Sequence, residues 1–123
     1  MPITGTQAHT LSSVVNVVAD YNTDAYDAQN AVYLVVQVTV GATGVINLAA
    51  VVQCSVDGVN YVTATALTTF TAAGTQLTAF TVLNTGVNNV LAPFMRVAFD
   101  WTAAAGTVDS VVVKVYAQKD YAD

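Results

Sequence analysis

The feature of this sequence that most constrains its fold is a strict alternation of apolar residues along four segments. Successive side chains of a β-strand point to opposite faces, so a period of two predicts a half-buried strand. In the clearest segment one face carries Val32, Leu34, Val36, Val38 and Val40, and the other carries Tyr33, Val35, Gln37 and Thr39. The other three stripes are Ile46, Leu48, Ala50, Val52 and Cys54; Met95, Val97, Phe99 and Trp101; and Val111, Val113, Val115 and Ala117.

Turn segments that contain glycine divide the chain into strands. We expect strands near 12–19, 32–40, 45–55, 59–66, 76–83, 94–101 and 108–118, with an additional short one near 67–71. A single open sheet would leave the apolar stripes in water, so two sheets have to cover each other. The sequence therefore predicts an all-β fold, an antiparallel β-sandwich or jelly roll of about seven to eight strands, in one domain over residues 1–123.

The two ends of the chain and one internal segment lack this pattern. Residues 1–11 alternate weakly and predict an N-terminal arm, and the polar residues 119–123 predict a short tail. Residues 24–31 form the only segment that could hold a turn or two of helix. Polar residues interrupt every apolar run before the roughly 18 residues of a membrane helix, so we expect no membrane partner. The N-terminus carries no secretory-signal pattern, so we expect no export by that route.

The low charge of the chain favours protein partners over nucleic acid. Charged residues make up 9% of the sequence, against roughly 25% in an average soluble domain. Only Arg96, Lys114 and Lys119 are basic, and the formal net charge is -5, which is unsuited to binding phosphates. Because a lightly charged surface costs little to desolvate, this composition favours assembly with other proteins.

No constellation of residues predicts catalysis. His9 is the only histidine, Cys54 is the only cysteine, and the chain contains no glutamate. His9 lies in a weakly patterned segment, where the sequence gives no support for a Ser-His-Asp triad. One cysteine cannot form a thiolate zinc cluster or a dithiol redox motif. We expect a core position for Cys54, an exposed or interface position for His9, no enzymatic activity and no cofactor other than calcium.

The densest acidic segment leaves a calcium site open. Asp20, Asn22 and Asp24 match the first three ligand positions of a helix-loop-helix calcium motif. That motif is excluded, because Ala25 replaces its glycine and Ala31 replaces its bidentate glutamate. A looser surface calcium site remains one interpretation, and a turn stabilised by Asp and Asn side chains is the other.

Several tyrosines lie away from the apolar stripes. Tyrosine is favoured at interfaces because it buries a large ring while its hydroxyl stays hydrogen-bonded. We therefore predict interface positions for Tyr21, Tyr26, Tyr116 and Tyr121, with carbohydrate stacking on these rings as the rival use. Trp101 continues a core stripe and is predicted to be buried.

The order of several short motifs carries a resemblance to a known family. A strand ends in Ser-x-Asp-Gly-x-x-aromatic over residues 55–61, where Asp57-Gly58 predicts a tight hairpin turn. A Thr-Ala-Ala-Gly-Thr turn follows at 71–75, then Ala-Pro-aromatic-x-Arg-Val at 92–97 and a valine-rich strand that ends at Ala117. This order, over roughly residues 32–118, resembles a β-sandwich module of tailed-phage structural proteins.

The resemblance implies a role in a virus particle. Small stand-alone proteins of this kind resemble capsid decoration, or cement, proteins, which bind the major capsid protein on the outer shell and bridge its subunits, often as homotrimers. It implies a location on the outer capsid surface after synthesis in the host cytoplasm. One departure is Tyr61, where many relatives carry Trp. The alternative is a discoidin-like carbohydrate-binding module of a phage fibre or surface protein, which has a similar Ser-x-Asp-Gly turn.

Overall fold

The fold, seen in a computed structural model that describes residues 3–29, 31–81 and 92–121, consists of two antiparallel β-sheets. The strands are β1 (Ile3–Val17), β2 (Tyr21–Asn22), β3 (Tyr26–Asp27), β4 (Ala31–Thr43), β5 (Asn47–Ser55), β6 (Val62–Ala66), β7 (Gly74–Thr81), β8 (Phe94–Thr102) and β9 (Thr107–Tyr121). The described residues contain no helix, and accordingly none that could span a bilayer. The predicted all-β sandwich is confirmed.

The sheets differ in how their edges are built. The four-stranded sheet has the order β1-β9-β4-β7, so its edges are the long β1 and the shorter β7. The five-stranded sheet has the order β2-β8-β5-β6, and β3 also pairs with β8. Between β2 and β3 the buried Thr23 continues the contact, because its Oγ1 accepts a hydrogen bond from the Val97 amide at 3.0 Å.

The four apolar stripes meet between the sheets and form the core. Each described residue of the β4 and β5 stripes is at most 2% exposed, and the β8 and β9 stripes are buried to the same degree except at Phe99 and Trp101. Trp101 is half-buried at the end of its stripe and packs against the core. Cys54 lies in the core as predicted, and burial raises the pKa of its thiol.

The predicted hairpin turn after β5 is built around one carboxylate. Asp57 Oδ1 accepts hydrogen bonds from the amides of Val59 and Asn60 at 2.9 and 2.8 Å. The buried Ser55 hydroxyl donates to the same oxygen at 2.8 Å and accepts from the Gly58 amide at 2.9 Å. Gly58 has a φ of 75°, the left-handed conformation that glycine adopts without strain. The Asp57-Gly58 signal therefore has a structural explanation.

Several boundaries differ from the expectation, and the predicted arm is wrong for most of its length. Residues 3–11 belong to β1, which pairs with β9 from Ile3↔Tyr121 onward, so residues 119–121 of the predicted tail are strand as well. The sequence pattern did not reveal these parts of the strands, because main-chain pairing holds β1 and the end of β9 together and leaves no apolar stripe in the sequence. The segment near 67–71 forms only an isolated bridge between Leu48 and Phe70. The strand predicted from residue 59 begins at Val62, because the Asp57 turn occupies the residues before it.

Candidate functional site

The candidate functional surface is the outer face of the four-stranded sheet. We call this surface the outer sheet face, and it consists of Tyr33, Val35, Gln37, Thr39, Leu77, Ala79, Val112, Lys114, Tyr116 and Gln118. These side chains occupy the positions that alternate with the buried stripes of β4 and β9 and with Phe80 of β7, so they point away from the core.

Strand register brings the apolar members of this face together. Val35 of β4 lies opposite Tyr116 of β9 on one side and Ala79 of β7 on the other. In the adjacent row, Gln37 lies between Lys114 and Leu77. These residues, apart from Ala79, line a shallow pocket of about 170 Å³.

The exposure and charge of this face suit contact with another protein. Tyr33, Leu77 and Tyr116 are 38%, 63% and 41% exposed, although each carries a large side chain with apolar area. Lys114 is the only charged residue in the set. Aromatic and aliphatic side chains with few charges are typical of the centre of protein interfaces. The composition and exposure of this face are therefore those of a protein-binding surface.

The predicted interface tyrosines have different surroundings. Tyr116 lies on the outer sheet face, whereas the side chain of Tyr121 lies outside the described residues. Tyr26 is buried in the core, because β3 pairs it with the stripe residue Met95, so it does not offer its ring to a partner. Its ring lies 6.1 Å from that of the exposed His9. The sequence missed Leu77, because no apolar stripe marks β7.

Tyr21 is half-buried and stacks on Phe99, with 4.8 Å between the ring centroids. Its hydroxyl is buried and has no hydrogen-bond partner among the described residues. Burial raises the pKa of Tyr21 to about 12. The hydroxyl therefore points into the protein and is not placed to bind an external group.

Replacing Tyr21 with phenylalanine is expected to raise the free energy of unfolding by about 1 kcal/mol, because an unpaired buried hydroxyl is destabilising. The Phe99 stacking contact is retained in this variant. Urea denaturation, followed by circular dichroism in the far ultraviolet, measures the change in the free energy of unfolding. A loss of stability of similar size would show that the hydroxyl makes a stabilising hydrogen bond and would contradict this account.

The acidic segment proposed for calcium has a structural role at one position. Asp20 Oδ1 accepts a hydrogen bond from the Trp101 amide at 2.8 Å, which ties the loop to the end of β8. Asn22 pairs with Ala98, and Asp24 is exposed. In the described part of the chain no three acidic, histidine or cysteine residues are grouped to hold a metal ion. Calcium binding through Asp20, Asn22 and Asp24 stays a prediction.

The same loop places two carboxylates close together. Repulsion from Asp20, and secondly a hydrogen bond with it, raises the pKa of Asp100. A carboxyl group whose pKa is raised by folding contributes stability below its ordinary pKa of 3.8, and that contribution is lost as the pH rises through the folded-state value. Ionised Asp100 therefore destabilises the fold at neutral pH.

Replacing Asp100 with asparagine is expected to raise the melting temperature at pH 7, because the repulsion with Asp20 is removed. The gain should shrink as the pH falls through the raised folded-state pKa of Asp100, because the protonated carboxyl group of the wild type no longer repels Asp20. Scanning calorimetry at several pH values measures both effects.

Asp57→Asn is the matched control for this variant. Hydrogen bonds from Asn60, Val59 and Ser55 hold the pKa of Asp57 below its usual range, so its ionised form stabilises the fold at neutral pH and that contribution is lost in acid. This control should therefore lower the melting temperature at pH 7. The same sign for both variants at pH 7 would contradict the assignment.

The outer surface of the five-stranded sheet carries Arg96, which is held by two neighbouring side chains. The Arg96 guanidinium carbon lies 4.0 Å from the centre of the Tyr61 ring, and its Nε donates to Gln53 Oε1 at 2.8 Å. These contacts hold a half-buried arginine in place by a cation–π interaction and a hydrogen bond. The arginine of the Ala-Pro-aromatic-x-Arg-Val motif thus has a structural partner in Tyr61.

Comparisons with known proteins identify the fold. No protein-family model and no curated protein matches the sequence. A chain of the Bacillus endospore appendages, which form disulfide-linked pili, is 10% identical with a TM-score of 0.60, over 97% of this chain and 91% of that chain. The SPBc2 prophage-derived protein YomS is 11% identical with a TM-score of 0.58, over 97% of both chains. The chain therefore shares a β-sandwich fold with a prophage protein and a pilus-forming protein.

Proposed function

We propose that this chain is a structural protein of a virus particle that decorates the outer capsid surface and works by binding, without catalysis. The observation that carries the proposal is the outer sheet face, a broad exposed surface with tyrosine and aliphatic side chains and a single charge. The prophage origin of one protein with the same fold, and the motif order in residues 32–118, support the viral context.

The mechanism is the free energy of association. In the proposed role the outer sheet face lies against the major capsid protein, and each copy contacts neighbouring shell subunits at once. Burying Tyr116 and Leu77 supplies the apolar contact, since such anchors dominate binding energy at interfaces. Lys114 would meet an acidic group on the shell, which fixes orientation more than it adds affinity. A decorated shell should then resist heating better than a bare one.

The proposal is tested with shells of the encoding virus that lack this protein. Added wild-type protein should sediment with the shells and raise the temperature at which they rupture. Tyr116→Ala should weaken shell binding at least about 10-fold, because it truncates a central aromatic anchor. Val62→Ala is the matched control, since Val62 is 68% exposed on the other sheet, and should bind normally. Equal rupture temperatures with and without bound protein would contradict a stabilising role.

A carbohydrate-binding module is the alternative function, supported by the exposed rings of Tyr33 and Tyr116 on one sheet face. Glycan-array binding that is lost in Tyr116→Ala, together with no sedimentation on shells, would favour it over the capsid role. Shell binding without glycan binding would exclude it.

A further inference from the structure

The structure leaves one long strand edge without a described partner. β1 extends over 15 residues at the end of the four-stranded sheet, and among the described strands it pairs only with β9. Its other side therefore presents a row of main-chain donors and acceptors, which is a template for another strand. The remaining edges are shorter: β6 and β7 have five and eight residues, and β2 and β3 have two residues each.

The sequence of β1 does not protect this edge. Folded proteins block exposed edges with charged residues, proline, bulges or short strands. Residues 3–17 contain no charged residue and no proline. The one irregularity is a shift of register between Thr10 and Ser12, and from Ile3 to Thr10 the pairing with β9 is unbroken. Residues 3–10 therefore form a regular, uncharged edge segment about 25 Å long.

We propose that this edge segment pairs with the same segment of a second copy of the chain, as antiparallel strands. Antiparallel pairing of identical segments follows a two-fold axis, and at such an axis a charged side chain would face its own copy. Because β1 contains no aspartate, glutamate, lysine or arginine, its self-pairing meets no such repulsion while His9 is neutral, and main-chain groups along residues 3–10 gain partners. The paired sheets would form one continuous eight-stranded sheet.

This arrangement also bears on the proposed virion role. The two outer sheet faces would lie side by side on one sheet, so a dimer would present twice the neutral contact surface of a single chain. A homotrimer, which the sequence resemblance implies, requires each β1 to contact a different surface of its neighbour. A second copy of β1 offers the longest described edge, with 15 residues against eight in β7, the next longest edge.

The test is the solution mass of the full chain by light scattering over a concentration series up to about 1 mM, the weak limit of specific association. Wild-type protein is expected to reach twice the 12.8 kDa chain mass. Pairing over residues 3–10 places the two copies of position 6 opposite each other or within two residues. Thr6→Lys and Thr6→Asp should each raise the dimer dissociation constant at least about 10-fold by like-charge repulsion. An equimolar mixture of the two variants should restore the dimer.

The controls separate this edge from other effects. Asn47→Lys adds the same charge as Thr6→Lys at an exposed position of β5, which is an inner strand of the other sheet. This variant should leave the dimer intact. Circular dichroism of the Thr6 variants establishes that they fold. A strictly monomeric or trimeric wild type, a dimer insensitive to both Thr6 variants, or no recovery on mixing folded variants would each overturn the proposal. If the wild type is monomeric and Thr6→Lys loses shell binding, the β1 edge pairs with a segment of the shell instead of a second copy. That result would overturn the dimer but retain the virion role.

Discussion

Replacing Leu48 with alanine is expected to lower the free energy of unfolding by about 3 kcal/mol. Leu48 is fully buried near the start of β5, opposite Trp101 on β8 and bridged to Phe70 on its other side. The main-chain bonds to Phe70, at 2.8 and 3.0 Å, hold this part of the sheet in place. Because the surrounding strands cannot collapse into the space, the substitution loses apolar burial and leaves a cavity between the sheets.

Leu77→Ala is the matched control, because it makes the same chemical change on a strand of the other sheet. Leu77 is 63% exposed, so its truncation should change stability by less than about 0.5 kcal/mol. Urea denaturation of the two variants and the wild type measures both values. Equal losses at the two positions would contradict the assignment of Leu48 to the core and of Leu77 to the surface.

Leu77→Ala also connects stability with the proposed function. If the outer sheet face binds the shell, this variant keeps wild-type stability but binds shells more weakly. Leu48→Ala has the opposite profile: its melting temperature falls, and its shell affinity is retained while it is folded. Measuring both properties for both variants separates a residue kept for packing from a residue kept for contact.

The core could be predicted from the sequence because side-chain burial there follows a strict period of two. Leu34, Val36 and Val38 alternate with exposed or half-buried residues, and no other regular structure fits that spacing. The Asp57-Gly58 turn was also predictable, because glycine accommodates the positive φ and the aspartate carboxylate accepts the turn hydrogen bonds, and both residues stand next to each other in the sequence.

The remaining strands depend on contacts that the sequence does not encode locally. β2 and β3 have two residues each and form because β8 offers a free edge beside them. Tyr26 is buried because this pairing turns its ring into the core, so its position could not be inferred from neighbouring residues. The early start of β1 has the same cause, because its polar residues are held by the main chain of β9.

The candidate site was only partly visible in the sequence. The alternation placed Tyr33 and Val35 opposite the buried stripe of β4, which marks them as outward-facing. Their meeting with Leu77 and Tyr116 depends on the strand order β9-β4-β7, which brings together residues far apart in the chain. Residue periodicity assigns a side chain to a face, but the order of strands decides which side chains share a surface.

A single methyl group at Gly106 is expected to lower the free energy of unfolding by about 2–3 kcal/mol. Gly106 precedes β9 and packs against the turn between β4 and β5, where its amide donates to the Val45 carbonyl at 2.6 Å. A Cβ at this position would lie 2.6 Å from the Val45 oxygen and 2.7 Å from the Gly44 carbonyl carbon, and it would also collide with the Thr43 oxygen. These are main-chain atoms of a hydrogen-bonded turn, so relief of the clash requires the two turns to separate.

Gly74→Ala is the control that isolates this steric effect from the general cost or benefit of replacing glycine. A Cβ at Gly74 would have no atom within 4 Å, and its φ lies outside the left-handed region, so alanine fits there. Reduced freedom of the unfolded chain should then leave this variant as stable as the wild type or more stable by about 0.5 kcal/mol. Calorimetric melting of the two variants decides the matter. If Gly106→Ala and Gly74→Ala have the same melting temperature, the close approach of the two turns is not part of the folded structure in solution. A much lower melting temperature for Gly106→Ala would show that the stability of this end of the sandwich depends on the absence of a side chain at Gly106.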